Sequence, residues 1–242
     1  MKIIQSKTAE ELGKKAARQG AELLRQYINQ NNTARLLLST GASQLTTLNA
    51  LINEPIDWTK VEMFHLDEYI GLPPTHPASF VKYLQERFIE KVKPGKVHLV
   101  DTTGDINGLI ASLTKEVSKK PIDVGFIGIG ENAHIAFNDP PADLENDNSF
   151  IVVTLAESCR RQQMGEGWFK TLEDVPAQAV TMTVREILKC RHIISAVPFD
   201  VKAKAVYDTL NAPDITPMVP ATALRRHPDV TIYLDEGSAK NL

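Results

Sequence analysis

The chain contains only two cysteines, Cys159 and Cys190, among its 242 residues. Two cysteines are too few for a disulfide framework or for a cysteine-rich zinc site. A large excess of either sign of charge is also missing, since the net charge is −3 at pH 7. A chain without a basic excess lacks the surface that nucleic acid or anionic lipid would bind, so we expect neither as a partner.

Long hydrophobic runs are missing as well. No apolar run approaches the roughly 20 residues needed to span a membrane, and the N-terminal segment MKIIQSKTAEELG lacks the apolar core of a signal peptide. The hydrophobic content of 43% and charged content of 24% are ordinary for a globular protein. We therefore expect a cytoplasmic protein that acts on a small molecule, as a monomer or a homo-oligomer.

Short apolar segments alternate with amphipathic ones along the whole chain. Strands are predicted at 35–39, 61–66, 97–100, 123–128, 150–154, 192–197 and 229–234. Helices are predicted at 8–28, 43–51, 79–89, 106–117, 156–166, 184–189 and 201–210. Thr8 and Glu11 form a capping box at the start of the first of these helices. This alternation predicts an α/β fold, a three-layer α/β/α sandwich around a Rossmann-like, mostly parallel sheet, in one domain over residues 1–242.

The segment 123–141, DVGFIGIGENAHIAFNDPP, carries the most information. An apolar strand runs into a glycine-rich turn that contains Asn132, His134 and Asp139. In open α/β sheets, ligands bind at the carboxyl ends of the strands. An ionisable histidine beside an amide and a carboxylate at that edge is typical of proton transfer.

The same segment also fits the dinucleotide pattern G-x-G-x-x-G/A, which requires a helix to begin in the turn. Pro140 and Pro141 follow soon afterwards, and proline does not continue a helix. We therefore predict a loop that delivers side chains, without a bound dinucleotide.

Three further strand ends carry polar residues. Asp67 and Glu68 follow the strand at 61–66, and Thr40-Gly41-Ala42-Ser43 follows the strand at 35–39. Lys202 lies in the first turn of a helix that we expect Asp200 to cap, where a cation opposes the helix dipole. Exposed amides and hydroxyls at 40–43, together with Lys202, predict an anion site. Each feature also has a plainer interpretation: a solvated acidic turn, a helix cap by Ser43, and a solvated lysine.

Metal and nucleophile motifs are absent from the sequence. His65-x-Asp67 lacks the P-C-x-x-C partner of the zinc nucleobase deaminases, and H-E-x-x-H, G-x-S-x-G and a P-loop are missing. Cys159 lies beside Arg160 and Arg161, which would favour its thiolate, but we interpret it as a buried structural thiol.

Taken together, these motifs resemble the glucosamine-6-phosphate deaminases, also called isomerases. The resemblance rests on FHLDEYIGLP at 64–73 and GIGENAHIAFNDP at 128–140, with support from the turn at 40–43, KAKAV at 202–206 and PATALRRH at 220–227. It covers essentially the whole chain and implies the same three-layer fold.

The resemblance also implies a role for each site residue. Asp67 would be the base that moves a proton between C2 and C1 of the opened sugar, through an enolamine. His134 would open the pyranose ring, with its orientation and charge set by Asn132 and Asp139. The remaining residues would hold the 6-phosphate: Thr40, Gly41, Ala42, Ser43, Lys202 and one of Arg160 and Arg161. The chemistry would need no cofactor and no metal.

Some positions depart from the family pattern. Asp139 stands where glutamate is usual, Ala42 replaces the second glycine of the phosphate turn, and the helix at 159–169 is about two residues longer. These changes leave glucosamine and galactosamine 6-phosphate open as substrates.

Two other functions are compatible with parts of this pattern. A 6-phosphogluconolactonase-like hydrolase typically continues from the histidine into Thr-Ala-Ser-Leu-Phe, where this chain has Ile-Ala-Phe-Asn-Asp at 135–139. A sugar-phosphate-sensing regulator would carry a helix-turn-helix. We expect the sheet to begin near residue 35, which leaves no room for one.

Overall fold

The computed structural model describes residues 1–165 and 167–242. The strands are β1 (Lys2–Gln5), β2 (Ala34–Leu38), β3 (Val61–His65), β4 (Asp67–Tyr69), β5 (Lys96–His98), β6 (Val124–Phe126), β7 (Phe150–Thr154), β8 (Gln178–Met182), β9 (His192–Val197) and β10 (Val230–Leu234). The helices are α1 (Ala9–Asn31), α2 (Leu45–Leu51), α3 (Phe80–Leu84), α4 (Glu90–Val92), α5 (Ile106–Val117), α6 (Glu157–Gly165), α7 (Val184–Ile187) and α8 (Ala203–Asn211).

Seven of the strands form one sheet in the order β1-β10-β9-β6-β2-β3-β5, and every pair in it is parallel. The chain passes from β2 outward to β3 and β5, then returns to the other side of β2 with β6. The strand order therefore reverses between β2 and β6. Loops leaving the carboxyl ends of these two strands diverge and leave a crevice, which is where open α/β sheets bind ligands.

Hydrophobic cores lie on both faces of this sheet. Successive residues of β2 alternate between them, since Leu36 and Leu38 pack into the core under α1 and α2 while Leu37 packs into the opposite core. Met63 and Phe64 of β3 divide in the same way. A strand buried on both faces needs a continuous apolar run, which is why RLLLS was recognisable as a strand. The predicted three-layer, mostly parallel α/β fold is confirmed.

A second, three-stranded sheet has the order β4-β8-β7 and is antiparallel. The sequence assigned 150–154 to the parallel sheet, but this segment is β7 and pairs with β8, which was not predicted at all. The acidic pair was expected just beyond a strand end; Asp67 and Glu68 instead lie within β4. Asp67 is thus fixed by strand pairing opposite Thr181 rather than carried on a loop.

Two other expectations were wrong. The main sheet begins at β1 rather than near residue 35, because Lys2–Gln5 pairs in parallel with β10 as an edge strand. Asp200 does not cap the helix that follows, since it lies inside a 3-10 turn at 200–202 and its carboxylate binds Lys240 at 2.7 Å. Among the described residues, no helix is long and apolar enough to cross a membrane.

The long first helix follows its sequence signal closely. The Thr8 hydroxyl accepts a hydrogen bond from the amide of Glu11 at 3.2 Å, as expected of an N-cap. At the other end, Asn32 adopts the left-handed conformation, with a φ of 58°, and its amide bonds to the carbonyl of Ile28.

Candidate active site

A cavity lies at the carboxyl ends of the central strands, at the point where the strand order reverses. Six of the residues predicted from sequence line it together: Thr40, Gly41, Ser43, Asp67, His134 and Lys202. They come from the segments that follow β2, β3, β6 and β9. The parallel topology therefore brings four distant stretches of chain to one place.

The turn after β2 is shaped by one glycine and held by neighbouring side chains. Gly41 has a φ of 96°, a conformation that residues with a side chain rarely adopt. Its carbonyl accepts a hydrogen bond from the Tyr83 hydroxyl at 3.0 Å. Ala42 begins the 3-10 turn at 42–44, so the missing second glycine leaves the turn intact.

Ser43 does not cap the helix that follows, because no side-chain hydrogen bond caps α2 in the described structure. The Ser43 hydroxyl instead accepts a hydrogen bond from Gln44 Nε2 at 3.1 Å. The same nitrogen donates to the carbonyl of Ala196 at 3.1 Å, at the end of β9. Gln44, which is buried, thus ties this turn to the strand end that leads to Lys202.

The loop after β6 doubles back on itself and brings His134 to the cavity. Turns occupy 131–133 and 136–137, so the prediction of a loop here, in place of a dinucleotide-binding helix, is confirmed. The Gly130 amide donates to the carbonyl of His134 at 2.9 Å. A Cβ atom on Gly130 would lie 2.2 Å from His134 Cε1, so only glycine lets the ring pack there.

The His134 ring is held by an amide and a carboxylate. Its Nδ1 lies 2.6 Å from Asn132 Oδ1 and 3.1 Å from Asp139 Oδ1. The Asn132 amide nitrogen donates to Asp139 Oδ1 at 3.0 Å, which fixes the orientation of that amide. Because both partners of Nδ1 are acceptors, Nδ1 carries a hydrogen and Nε2 is left to exchange a proton.

Asp139 lies behind the ring and does not line the cavity. Burial would raise the pKa of this carboxyl group, but the hydrogen bond and charge of His134 and donors from Asn132 and the Ala156 amide lower it overall. Asp139 is therefore poised to stay ionised and to stabilise a positive charge on the imidazole.

Asp67 has the opposite electrostatic surroundings. Its side chain lines the cavity, yet the residue is only 5% exposed. Burial, reinforced by the nearby charge of Glu68, raises its pKa well above the ordinary value, and a hydrogen bond from the Phe137 amide only partly opposes this. Both acids are buried, so the interpretation of this pair as a solvated turn is wrong.

Lys202 is also buried, at 5% exposure, and lines the cavity from the turn after β9. Two features shape that turn. Phe199 has a φ of 83°, and its amide donates to both carboxylate oxygens of Asp235, at 3.1 and 3.0 Å. The solvated-lysine interpretation is therefore wrong for Lys202, whereas Lys204 is exposed and pairs with Asp208.

The two arginines lie away from the other residues. Arg160 donates to the carbonyl of Leu172 at 2.5 Å, Arg161 pairs with Glu157 at 2.5 Å, and neither lines the cavity. Helix α6 instead faces the cavity with Gln162 and Gln163, which were not predicted. The helical spacing of Cys159 and Gln163, four residues apart and both buried, is the sequence signal that marks this face.

The other described residues that line the cavity had no site role assigned from sequence, and they are mostly apolar or small: Ser39, Leu66, Phe80, Gly128, Ile129, Gly130, Ala136, Phe137, Gln162 and Gln163. A small polar cavity that combines a carboxylate of raised pKa, a histidine and a buried lysine is suited to binding a charged molecule and moving protons on it.

The chain belongs to the family described as glucosamine-6-phosphate isomerases/6-phosphogluconolactonase, whose sequence profile matches residues 7–233. Among curated relatives, it is 35% identical to a glucosamine-6-phosphate deaminase of Thermoanaerobacter pseudethanolicus, over 99% of this chain and 94% of that protein. It is 34% identical to the glucosamine-6-phosphate deaminase of Enterococcus faecalis, and that alignment covers all of both chains.

The similar solved structures include proteins described by each of the two activities in the family's description. A structure described as a monomeric glucosamine-6-phosphate deaminase superposes with a TM-score of 0.90 at 31% identity, over 100% of both chains. A 6-phosphogluconolactonase from Shewanella baltica superposes with a TM-score of 0.81 at 17% identity, over 97% of both chains. The second similarity shows the shared fold alone. The resemblance recognised from the motifs is therefore confirmed, and the protein is an enzyme of this family.

Proposed function

We propose that this enzyme converts glucosamine 6-phosphate and water to fructose 6-phosphate and ammonia. One observation carries the proposal: Asp67, His134, the turn at 40–43 and Lys202 meet in a single cavity. The full-length similarity to deaminases, at 31–35% identity against 15–20% for the lactonase neighbours, supports this choice within the family.

The 6-phosphate is proposed to bind between the turn at 40–43 and Lys202. Backbone amides and hydroxyls of a tight turn are good ligands for a phosphate dianion, and a buried ammonium adds a charge-assisted hydrogen bond. Arg160 or Arg161 would join only after leaving the Leu172 carbonyl or Glu157, respectively.

Ring opening is assigned to His134. The imidazole would exchange a proton between O5 and O1 of the pyranose through Nε2, while Nδ1 stays hydrogen-bonded to Asn132 and Asp139. The ionised Asp139 would stabilise the imidazolium that forms when the His134 imidazole takes up this proton.

Proton transfer along the open chain is assigned to Asp67. The carboxylate would take the proton from C2 and return it to C1, so that the enolamine becomes an imine at C2. Water would then add to the imine and release ammonia. A carboxyl group with a raised pKa is a stronger base than an exposed one, which suits this step.

We propose that the reaction needs no cofactor. The aldehyde of the opened sugar acidifies C2, and the amine departs after hydrolysis, so positioned acids and bases are sufficient. We also propose a cytoplasmic location, which the two buried cysteine thiols support because thiols persist in reducing compartments.

The decisive assay follows ammonia release from glucosamine 6-phosphate and galactosamine 6-phosphate, in parallel with hydrolysis of 6-phosphogluconolactone. We expect ammonia and fructose 6-phosphate from the glucosamine compound, with enzyme that has been treated with a chelator. Lactone hydrolysis without ammonia release would assign the protein to the other branch of its family. Activity that a chelator abolishes and zinc restores would refute the cofactor-free mechanism.

Asp67→Asn tests the assignment of the base. The amide preserves shape but cannot accept the proton, so turnover should fall by at least about 10²-fold. Asp101→Asn is the matched control, because Asp101 is exposed and does not line the cavity. Near-normal turnover of Asp67→Asn would mean that another group is the base.

A further inference from the structure

A cluster of three metal-binding side chains lies directly behind the catalytic imidazole. One ligand atom from each of His134, Asp139 and Cys159 lies within 4.8 Å of the other two. His134 and Asp139 come from the loop after β6, and Cys159 comes from the buried face of α6. The proton-transfer mechanism gives Cys159 no role.

The spacing of these atoms is close to that of a zinc site. Zn²⁺ binds nitrogen, oxygen and sulfur at about 2.0–2.3 Å in a tetrahedron, so its ligand atoms lie roughly 3–4 Å apart. His134 Nδ1 and Asp139 Oδ1 already lie 3.1 Å apart. A small shift of Cys159 would complete three ligands, and Asn132 Oδ1, which lies 2.6 Å from His134 Nδ1, would supply the fourth.

The charges also fit a divalent ion. A thiolate and a carboxylate together neutralise the 2+ charge, and the neutral imidazole adds none. Cys159 is fully buried and the Asp139 side chain is only 8% exposed, so an ion here would be well shielded from water. The Ala156 amide donates to Asp139 Oδ2 at 3.0 Å, which leaves Oδ1 facing the imidazole.

A second cluster shows why composition alone does not define such a site. Glu62, His98 and Glu116 also place one ligand atom each within 4.8 Å of the others. There, however, the Lys96 ammonium lies 3.2 Å from Glu62 Oε1 and 2.7 Å from Glu116 Oε2. Arg35 also pairs with Glu62 at 2.9 Å, and Lys119 with Glu116 at 2.6 Å. That cluster is therefore an ion-pair network whose negative charge is already balanced by basic side chains.

We propose that His134, Asp139 and Cys159 form an inhibitory site for thiophilic divalent ions such as Zn²⁺ and Cd²⁺. Metal binding would release the thiol proton of Cys159 to water, and the hydrogen on His134 Nδ1 would shift to Nε2, which keeps the imidazole neutral. With Asp139 bound to the ion and Nε2 already protonated, His134 could no longer accept the proton of ring opening. Inhibition would thus be a direct result of metal binding. The inhibitory consequence, though not the binding, rests on the function proposed above.

Binding is tested first, without reference to activity. Cd²⁺ is titrated into chelator-treated protein while the ultraviolet charge-transfer absorption of a cadmium–thiolate bond is recorded. Cys159→Ala removes the ligand, and Cys190→Ala is the matched control, because Cys190 is also buried but belongs to neither of the two clusters of metal-binding side chains among the described residues. We expect the band, at one ion per chain, in the wild type and in Cys190→Ala, and its loss in Cys159→Ala.

Inhibition is tested second, with Zn²⁺ in the ammonia-release assay. Cys159→Ala should require at least about tenfold more Zn²⁺ for half inhibition than the wild type, since losing a ligand costs at least as much as losing an outer-shell partner. Equal sensitivity of these two proteins, or a cadmium band that disappears in Cys190→Ala instead, would overturn the proposal.

Asp139→Asn is a second, independent test in case Cys159→Ala fails to fold, because it keeps the thiol and weakens a different ligand. It should shift the cadmium titration to higher concentration, and an unchanged titration would exclude Asp139 from the site. If the band behaves as expected but the protein releases no ammonia, the metal site stands and the proposed function fails.

Discussion

Asp67 and Glu68 are adjacent in β4, but their carboxyl groups point to opposite sides of the strand. Asp67 lines the cavity, whereas Glu68 accepts hydrogen bonds from the Ser79 hydroxyl and the Val81 amide, both at 2.8 Å. Successive side chains of a strand point to opposite faces, which explains the division. Glu68 thereby anchors the start of α3 next to the proposed base.

Glu68→Gln should change the pH dependence of catalysis. Burial is the main cause of the raised Asp67 pKa, and the charge of Glu68 adds to it. Removing that charge lowers the Asp67 pKa, so the acid limb of the kcat/KM profile should move to lower pH, with maximal turnover within about tenfold of wild type. A profile that stays in place would show that the two carboxyl groups are not coupled.

The same variant should flatten the pH dependence of stability. Burial raises the pKa of Glu68 to about 7 from 4.5, so the folded protein favours its protonated form. Its stabilising contribution is present below pH 4.5 and is lost as the pH rises to about 7. As the pH rises from 4.5 to about 7, wild type should lose unfolding free energy relative to Glu68→Gln, which urea titrations at several pH values would measure. The loss should be about 1.4 kcal/mol for each unit by which the pKa of Glu68 differs between the folded and the unfolded state.

His134→Gln should separate ring opening from proton transfer. If the imidazole acts only on the ring, the variant should lose more activity on the cyclic substrate than on an open-chain analogue, by about 10²-fold. Asp139→Asn should weaken the same step to a smaller extent, because the imidazolium loses its counter-charge. Equal losses on the two substrates would assign His134 a different role.

Lys202→Met should weaken phosphate binding. Losing a charge-assisted hydrogen bond costs about 1.5–3 kcal/mol, which corresponds to roughly a ten- to hundredfold rise in KM. Lys204→Met is the control, since Lys204 lies two positions further along but is exposed and bound to Asp208. Inorganic phosphate should compete with substrate in the wild type and in the control, and much less in Lys202→Met. An unchanged KM would show that the phosphate of the substrate does not bind to Lys202.

Gln44→Leu should act through Ser43. Because Gln44 Nε2 donates to the Ser43 hydroxyl, that hydroxyl is left to donate its own hydrogen into the cavity. Losing this orientation should raise KM by about two- to tenfold, with kcat within about twofold. In a double-mutant cycle, Gln44→Leu should add little to Ser43→Ala. Fully additive losses would mean that Gln44 acts independently of Ser43.

The parallel core was predictable from sequence because strands buried on both faces leave a continuous apolar signature. The second sheet was not. FIVVT at 150–154 has the same signature, but the structure leaves Val152 41% exposed in an antiparallel sheet. Nothing local to 178–182 indicates that it pairs with both 67–69 and 150–154.

Some features of the site could be predicted from sequence, and others depend on how the helices pack. Gly41 and Gly130 stood out because glycine marks unusual backbone or close packing, and the structure requires both. Arg160 and Arg161 were candidates because the resemblance implies a phosphate-binding arginine in this helix, but which side of α6 faces the cavity depends on how the helix packs. That orientation favours Gln162 and Gln163, and it buries Cys159 beside Asp139.

The pairing of Asp67 with Thr181 closes a loop of nearly half the chain. Contacts between such distant residues carry a large loop-closure entropy and tend to form late in folding. The proposed base would then reach its position only after the helices have formed. On dilution from urea, the helical signal in circular dichroism should recover before ammonia release does; simultaneous recovery would show that β4 and β8 pair early. A newly made chain would thus pass through a state that is already helical and still inactive.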